Sequence, residues 1–215
     1  MEELWMKIAV IAANGRAGKL ITDEAVKRKH EVTAIVRHDN QTKASHVLQK
    51  DLYDLSTKDL AEFDIVVDAF GVWDPAKMDL HDSSLLHLAD CLSGTNVKLF
   101  VVGGAGSLYV DSDHKKQLKD TADFPKEAKP VAEGMGKALD HLKERGDVQW
   151  VYVSPAASFI ADGAKTDSYT ITDNEYTENQ AGESKISYQD YASGFVDAIE
   201  ADKYNQVQIS IYQDD

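Results

Sequence analysis

The sequence predicts an α/β protein: a Rossmann-like, doubly wound, mostly parallel sheet with helices on both faces and a small C-terminal lobe. Three observations carry this expectation. Apolar runs recur along the chain, as KIAVIAA, EVTAIV, DIVVDAF, VKLFVV and VQWVYV. Helical stretches separate them at the spacing of βαβ units. The first run breaks at a glycine-bearing turn that leads directly into a helical pattern.

Lys7 to Ala13 is the first strand, apolar throughout after one charge, as a strand buried on both faces requires. A helix follows, with Ala17, Leu20, Ile21 and Ala25 on one face and Lys19, Asp23 and Lys27 away from it. Glu31 to Val36 is β-branched and forms the second strand. Val47 to Gln49 is a short third strand and Asp64 to Phe70 the fourth. Leu80 to Leu92 is an amphipathic helix, and Val97 to Val102 the fifth strand. Glu127 to Arg145 is helical in composition, with Pro130 in its first turn. Val148 to Val153 is the sixth strand. Beyond Pro155 the pattern loosens. Tyr169 to Thr172 and Lys185 to Ser187 suit short strands, Gln189 to Ala201 a helix, and Gln206 to Tyr212 a last strand. The chain reads as one domain, 1–215, with about 155–188 and 203–215 forming the lobe on the substrate side.

The chain has 215 residues, 43% hydrophobic and 28% charged, which suits a globular domain. A net charge of −14 repels phosphate backbones and anionic membranes, so neither nucleic acid nor membrane is an expected partner. The single cysteine, Cys91, excludes an intrachain disulfide and falls on the apolar face of a helix as a core residue. Met1 to Met6 lacks the pattern of a signal peptide, and no run approaches the ~20 apolar residues of a membrane span. Cytoplasm is the expected compartment. The seven histidines form no H-x-x-x-H pair, and no metal site is expected.

The segment Ala12-Ala13-Asn14-Gly15-Arg16-Ala17-Gly18 lies where a dinucleotide fold holds its pyrophosphate. Free N–H groups at a helix N-terminus attract anions, and glycine lets the main chain approach them. Ala12 stands where the first of the usual three glycines would be. Arg37 ends the second strand, nineteen residues after Gly18, where an NAD site tends to carry an acid that bonds the ribose hydroxyl. A guanidinium suits a 2′-phosphate instead, so NADP is favoured, with NAD the alternative. Asp39 is placed to neutralise Arg37. Three further strand ends share this edge. Asp51-Leu52 suits the adenine or, for Asp51, a turn cap. Ala69-Phe70-Gly71 follows the fourth strand. Gly103-Gly104-Ala105-Gly106-Ser107 follows the fifth, where absent side chains would leave room for the nicotinamide ribose.

Taken together, KIAVIAANGRAG, HEVTAIVR, DIVVDAFG, LFVVGGAGSLYV, WVYVSPAASF and GESKISYQDYA resemble the atypical short-chain dehydrogenase/reductase proteins. Within these the chain is most similar to the NmrA-like, NAD(P)H-binding set known as NADH-flavin reductases, related to biliverdin reductase B. The resemblance spans about Met6 to Glu200. It implies an NADP-binding Rossmann fold with cofactor contacts at Asn14, Gly15, Arg16, Ala17, Arg37, Asp51, Leu52, Phe70 and Gly71. It also implies Pro155 beside the nicotinamide. Ala12 departs from the family's glycine, which would weaken or tilt pyrophosphate binding.

No tyrosine is followed by a lysine four residues later, so the Tyr-x-x-x-Lys pair that passes a proton in alcohol-oxidising relatives is missing. Glu133 and Lys137 have that spacing but read as a surface ion pair. Flavin or quinone reduction needs less from the protein, because stacking and orientation supply most of the rate. The expected activity is an NAD(P)H-dependent reductase acting on a flat conjugated small-molecule acceptor. The alternative is an NADP-reading sensor of NmrA type that signals to a protein partner. A nucleotide-sugar isomerase or epimerase is a third reading. Ser107 is a candidate for positioning the acceptor, or a turn residue. Trp73 suits either the core or an overhang above the cofactor or acceptor, and His81 and His87 suit helix surface.

Overall fold

The computed structural model describes residues 5–214. An eight-stranded sheet runs β3-β2-β1-β4-β5-β6-β10-β8. Its strands are β1 (Lys7–Ile11), β2 (Glu31–Val36), β3 (His46–Gln49), β4 (Ile65–Asp68), β5 (Lys98–Val102), β6 (Gln149–Pro155), β8 (Tyr169–Thr172) and β10 (Val207–Gln213). Every pairing is parallel except β8 against β10. The helices are α1 (Arg16–Lys27), the single-turn α2 (Thr57–Leu60), α3 (Asp79–Leu92), α4 (Lys129–Lys143) and α5 (Tyr188–Glu200). A two-stranded pair, β7 (Ser158–Ile160) with β9 (Lys185–Ser187), stands apart from the sheet.

The period-2 alternation of the strands sorts the core into two layers. Ile8, Val10, Ile65 and Val67 pack with Ile21, Ala25, Tyr191 and Phe195 of α1 and α5. Ala9, Ile11 and Val66 pack with Leu85, Leu88, Leu139 and Leu142 of α3 and α4. Cys91 is buried in this second layer. Pro130 lies in the first turn of α4. Among the described residues no helix is long and apolar enough to cross a membrane.

Three sequence expectations change. The stretch 203–215 does not join the small lobe over its described part. β10 inserts between β6 and β8, because Ile209 and Ile211 have an apolar layer to fill there. Lys137 does not pair with Glu133. It reaches Asp82 of α3 at 3.0 Å, an acid that also accepts from His141 at 2.7 Å. His81 is buried rather than on the helix surface, and half-buried His87 bonds the Leu55 carbonyl at 3.1 Å.

An ionic cluster ties α1 to α5. Arg28, which follows α1, reaches Glu24 at 3.0 Å, Asp197 at 2.6 Å and Glu200 at 2.8 Å, and donates to the Ser193 carbonyl at 3.1 Å. Tyr169 donates to the second oxygen of Asp197 at 2.6 Å, and His30 Nε2 meets Glu200 at 2.9 Å. Removing the guanidinium leaves three carboxylates facing one another in a partly desolvated joint. Arg28→Ala is expected to lower stability by about 2 kcal/mol, between the values for exposed and buried pairs, measured as a reduced urea midpoint with unchanged m.

Candidate functional site

Strand order reverses between β1 and β4, so the crevice for a ligand opens at their carboxyl ends. At the end of β1, Ala12 adopts φ 56°, the left-handed conformation that glycine favours. Its carbonyl then accepts the Gly15 amide at 2.9 Å and closes the turn. The residue that departs from the family's glycine thus adopts a glycine-like backbone, and the turn forms. A Cβ placed on Gly18 would lie 2.7 Å from that same carbonyl and 3.1 Å from the Ala69 Cβ. Gly18 is therefore what lets α1 seat against the ends of β1 and β4.

The entrance to α1 is left open. Gly15 caps it without a side-chain bond, and no acid lies in its first turn. The amides of Arg16, Ala17 and Gly18 begin the helix and have no intrahelical acceptors. Gly15 and Arg16 are exposed. Asn14 faces sideways: it donates to the Asp39 carbonyl and accepts from the Gln41 amide, both at 2.9 Å. It fastens the polar loop after β2 beside the turn. An exposed, uncapped helix entrance with unpaired amides, at the point where strand order reverses, fits the pyrophosphate of a dinucleotide.

Arg37, at the end of β2, has a side chain 70% exposed, and its nearest acid is Asp51 at 4.0 Å. Asp51 rather than Asp39 is thus the neighbouring counter-charge. Asp51 also caps a short 3-10 turn by accepting the Tyr53 amide at 3.0 Å, while Leu52 is buried in the core. At the end of β4, Ala69 packs under the turn, Phe70 is half-buried, and Gly71 is open.

The end of β5 differs from expectation. A Cβ on Gly103 would collide with the Tyr152 ring, and one on Gly104 would lie 3.1 Å from the Met135 sulfur. These absent side chains make room for the protein's own residues, not for a ribose. Ser107 is buried, accepts from Gln208 Nε2 at 2.9 Å and holds the turn. That is a packing role in place of acceptor positioning. Pro155 is buried too, in register with Ile211 of β10. Trp73 is not core, since it is 74% exposed.

Two residues near the crevice escape a sequence reading. Tyr188 opens α5 and stacks on Phe159 of β7, with centroids 3.7 Å apart. Burial raises its phenol pKa, against the pull of the Arg16 guanidinium. Asp68 ends β4 on the α3/α4 side and accepts the Phe70 amide at 3.0 Å. With Tyr152, His81 and Ser84 it lines a recess of about 20 Å³, the size of one water. Burial lifts its carboxyl pKa to about 6, against the pull of the Phe70 amide. Burial also raises Tyr152 and lowers His81. An acid at the end of an otherwise apolar strand was the one available signal.

The model of an NAD(P)H-binding family matches residues 12–202. The uncharacterized protein YwnB of Bacillus subtilis is 40% identical over 209 residues, 96% of this chain and 98% of its own. A Streptococcus pneumoniae structure named "putative NADH-flavin reductase" is 47% identical with a TM-score of 0.95, covering 97% of this chain and 99% of its own. A Bacteroides thetaiotaomicron structure named "putative epimerase" is 29% identical with a TM-score of 0.83, covering 97% of each.

The raised Asp68 pKa makes a stability prediction. Folding favours the neutral acid, so its contribution is intact below the unfolded pKa of about 3.9 and is lost as pH rises through about 6. Asn keeps an oxygen for the Phe70 amide and carries no charge. Asp68→Asn is expected to raise Tm at pH 8, by up to about 3 kcal/mol in stability, with the gain vanishing near pH 4. Thermal melts across that range read it, and a gain that grows toward low pH would contradict it.

Proposed function

We propose that this chain, which belongs to the NAD(P)H-binding family its sequence matches, is a reductase that uses NADPH to reduce a flavin, a quinone or a similar flat conjugated acceptor. The observation that carries the binding half is the turn at Ala12 to Gly18: a tight, uncapped entrance to α1 at the point where strand order reverses. The pyrophosphate would rest on the amides of Arg16 to Gly18, with Gly15 giving the backbone close approach. Ala69 to Gly71 would line the dinucleotide's path toward the acceptor side. Arg37, exposed and 4.0 Å from its nearest acid, is free to turn its guanidinium to a ribose 2′-phosphate. That freedom supports NADP over NAD.

When bound, the reduced nicotinamide supplies a hydride. The protein's part is to hold donor and acceptor in face-to-face order and to keep the nicotinamide end from drifting. The missing Tyr-x-x-x-Lys pair supports an acceptor whose proton comes from solvent, and so a flavin or quinone over an alcohol. The Streptococcus pneumoniae relative's name supports the same reading.

The test has two arms. Purified protein is mixed with NADPH and FMN or a benzoquinone, and absorbance at the NADPH band is followed. Acceptor-dependent NADPH oxidation is the expected result. Tight NADPH binding with no turnover across a broad acceptor panel would favour the NADP-reading sensor, and a retained nucleotide sugar the epimerase. In the second arm, Arg37→Ala is expected to weaken NADPH binding by about 1.5–3 kcal/mol, roughly 10- to 150-fold, and to leave NADH almost unchanged. A fluorescence titration with both nucleotides measures it, and equal losses would remove Arg37 from the 2′-phosphate.

A further inference from the structure

We propose that Trp73 is the stacking surface for the acceptor and that buried His81 is the positioning residue that presents it, a reading that rests on the reductase assignment above. Five large hydrophobic side chains are exposed among the described residues: Trp5, Val47, Tyr53, Trp73 and Ile160. Trp73 is the most exposed of them, at 74%. Trp5 precedes β1 and so lies at the opposite edge of the sheet from the crevice. Val47 lies on the edge strand β3, and Tyr53 turns its hydroxyl to Ser83 at 2.7 Å. Trp73 alone is an unengaged indole that leaves the sheet from the carboxyl end of a strand bordering the reversal point.

Its placement is built rather than incidental. The chain leaves β4 at Asp68, whose carboxylate accepts the Phe70 amide at 3.0 Å and bends the exit. Phe70 meets the His81 ring edge-on, with centroids 6.3 Å apart. His81 Nε2 lies 2.9 Å from the Val72 carbonyl, the residue just before Trp73. A carbonyl accepts only, so Nε2 carries the proton and donates. Beyond the indole, Asp74 accepts the Ala76 amide at 3.1 Å and starts a 3-10 turn headed by Pro75. Both sides of Trp73 are therefore fixed while its ring remains bare.

A bare indole held at a ligand crevice suits a flat conjugated partner. Isoalloxazine and quinone rings have large π-faces, and an indole stacks on such faces with no hydrogen-bond requirement. Aliphatic alcohols offer no comparable π-face. The acceptor would lie between Trp73 and the nicotinamide end of the crevice, and its specificity would follow from ring size and planarity rather than polar groups.

The experiment compares wild type, Trp73→Ala, Trp73→Phe, His81→Ala and His81→Gln by steady-state reduction of FMN with NADPH. Trp73→Ala is expected to raise the KM for FMN about tenfold, with the KM for NADPH and Tm unchanged, and Trp73→Phe to recover most of the loss. His81→Ala is expected to move the FMN KM in the same direction, and His81→Gln, which keeps a donor for the Val72 carbonyl, to restore it. Should His81→Ala fail to fold, the exposed Trp73 pair and His81→Gln still decide. Binding is read independently of turnover: in a Trp5→Phe background, riboflavin is expected to quench tryptophan emission saturably, and Trp73→Phe to weaken the riboflavin affinity read from the remaining Trp150 emission about tenfold.

An unchanged FMN KM in Trp73→Ala would overturn the proposal while leaving the reductase intact. Equal rises in both KM values would overturn it as well, assigning Trp73 to the cofactor. A change in sedimentation with acceptor KM unaltered would place Trp73 in a contact between copies and overturn it too. If wild type reduces no acceptor, the reductase assignment falls, and the quenching titration alone supports or overturns stacking at Trp73.

Discussion

The Ala12 carbonyl is the point on which the crevice depends. It accepts the Gly15 amide, and it lies where any Cβ on Gly18 would go. Both facts follow from Ala12 holding φ 56°. An alanine there carries a cost of about 1–2 kcal/mol, which the surrounding packing must offset. Ala13 and Ile11 are buried, and Ala69 closes from β4, so the neighbouring chain over-determines the turn. The consequence is an α1 that starts close to the sheet with its first amides uncapped, and everything proposed about a dinucleotide follows from that opening.

Much of this architecture is legible in the residues because parallel strands buried on both faces leave long apolar runs. KIAVIAA and VQWVYV reveal their strands for that reason, and Gly15 and Gly18 mark the turn between the first of these and α1. The C-terminal part is harder. β7 is short and half exposed, so its pattern carries little amphipathic signal, whereas Tyr169 to Thr172 and Lys185 to Ser187 coincide with β8 and β9. β10 alternates clearly, but no local feature says that it slots beside β6, because pairing of distant strands is a tertiary choice. The site divides the same way. Backbone-made features such as the turn follow from glycine placement. Features made by distant contacts do not: Tyr152 filling the space above Gly103, Gln208 occupying Ser107, and His81 folded inward to the Val72 carbonyl all join residues far apart in sequence or on different elements.

The charge distribution reconciles an acidic chain with an anionic ligand. A net charge of −14 acts over the whole surface and is screened beyond about 10 Å at moderate salt. Within the crevice the local groups are main-chain amides, Arg16 and Arg37. Most other acids close to the α1/α5 joint are engaged: Glu24, Asp197 and Glu200 by Arg28, and Asp190 by the amides of Thr166 and Asp167 at 2.9–3.0 Å. Pairing them locally keeps their fields short. On the α3/α4 side Asp68 accepts one amide and, among the described residues, pairs with no cation, and its raised pKa is the electrostatic response to that position.

One of those acids, Asp190, also ties the small lobe to α5. Asp190 opens α5 under the Ser187 cap and grips the loop at Thr166 and Asp167, the latter at φ 56°. Tyr191 donates to the Val153 carbonyl of β6 at 2.7 Å, and its ring meets Phe159 edge-on. Phe159 in turn carries Tyr188. A chain of direct contacts therefore runs from the central sheet into the lobe as far as Tyr188. Hydride transfer demands little acid–base chemistry from a protein and much constancy of distance. In the proposed reductase, a lobe tied to the sheet and an anchored exit from β4 would both serve that demand. The two anchors are built by different means, a buried carboxylate clasping a loop and a buried imidazole holding a carbonyl.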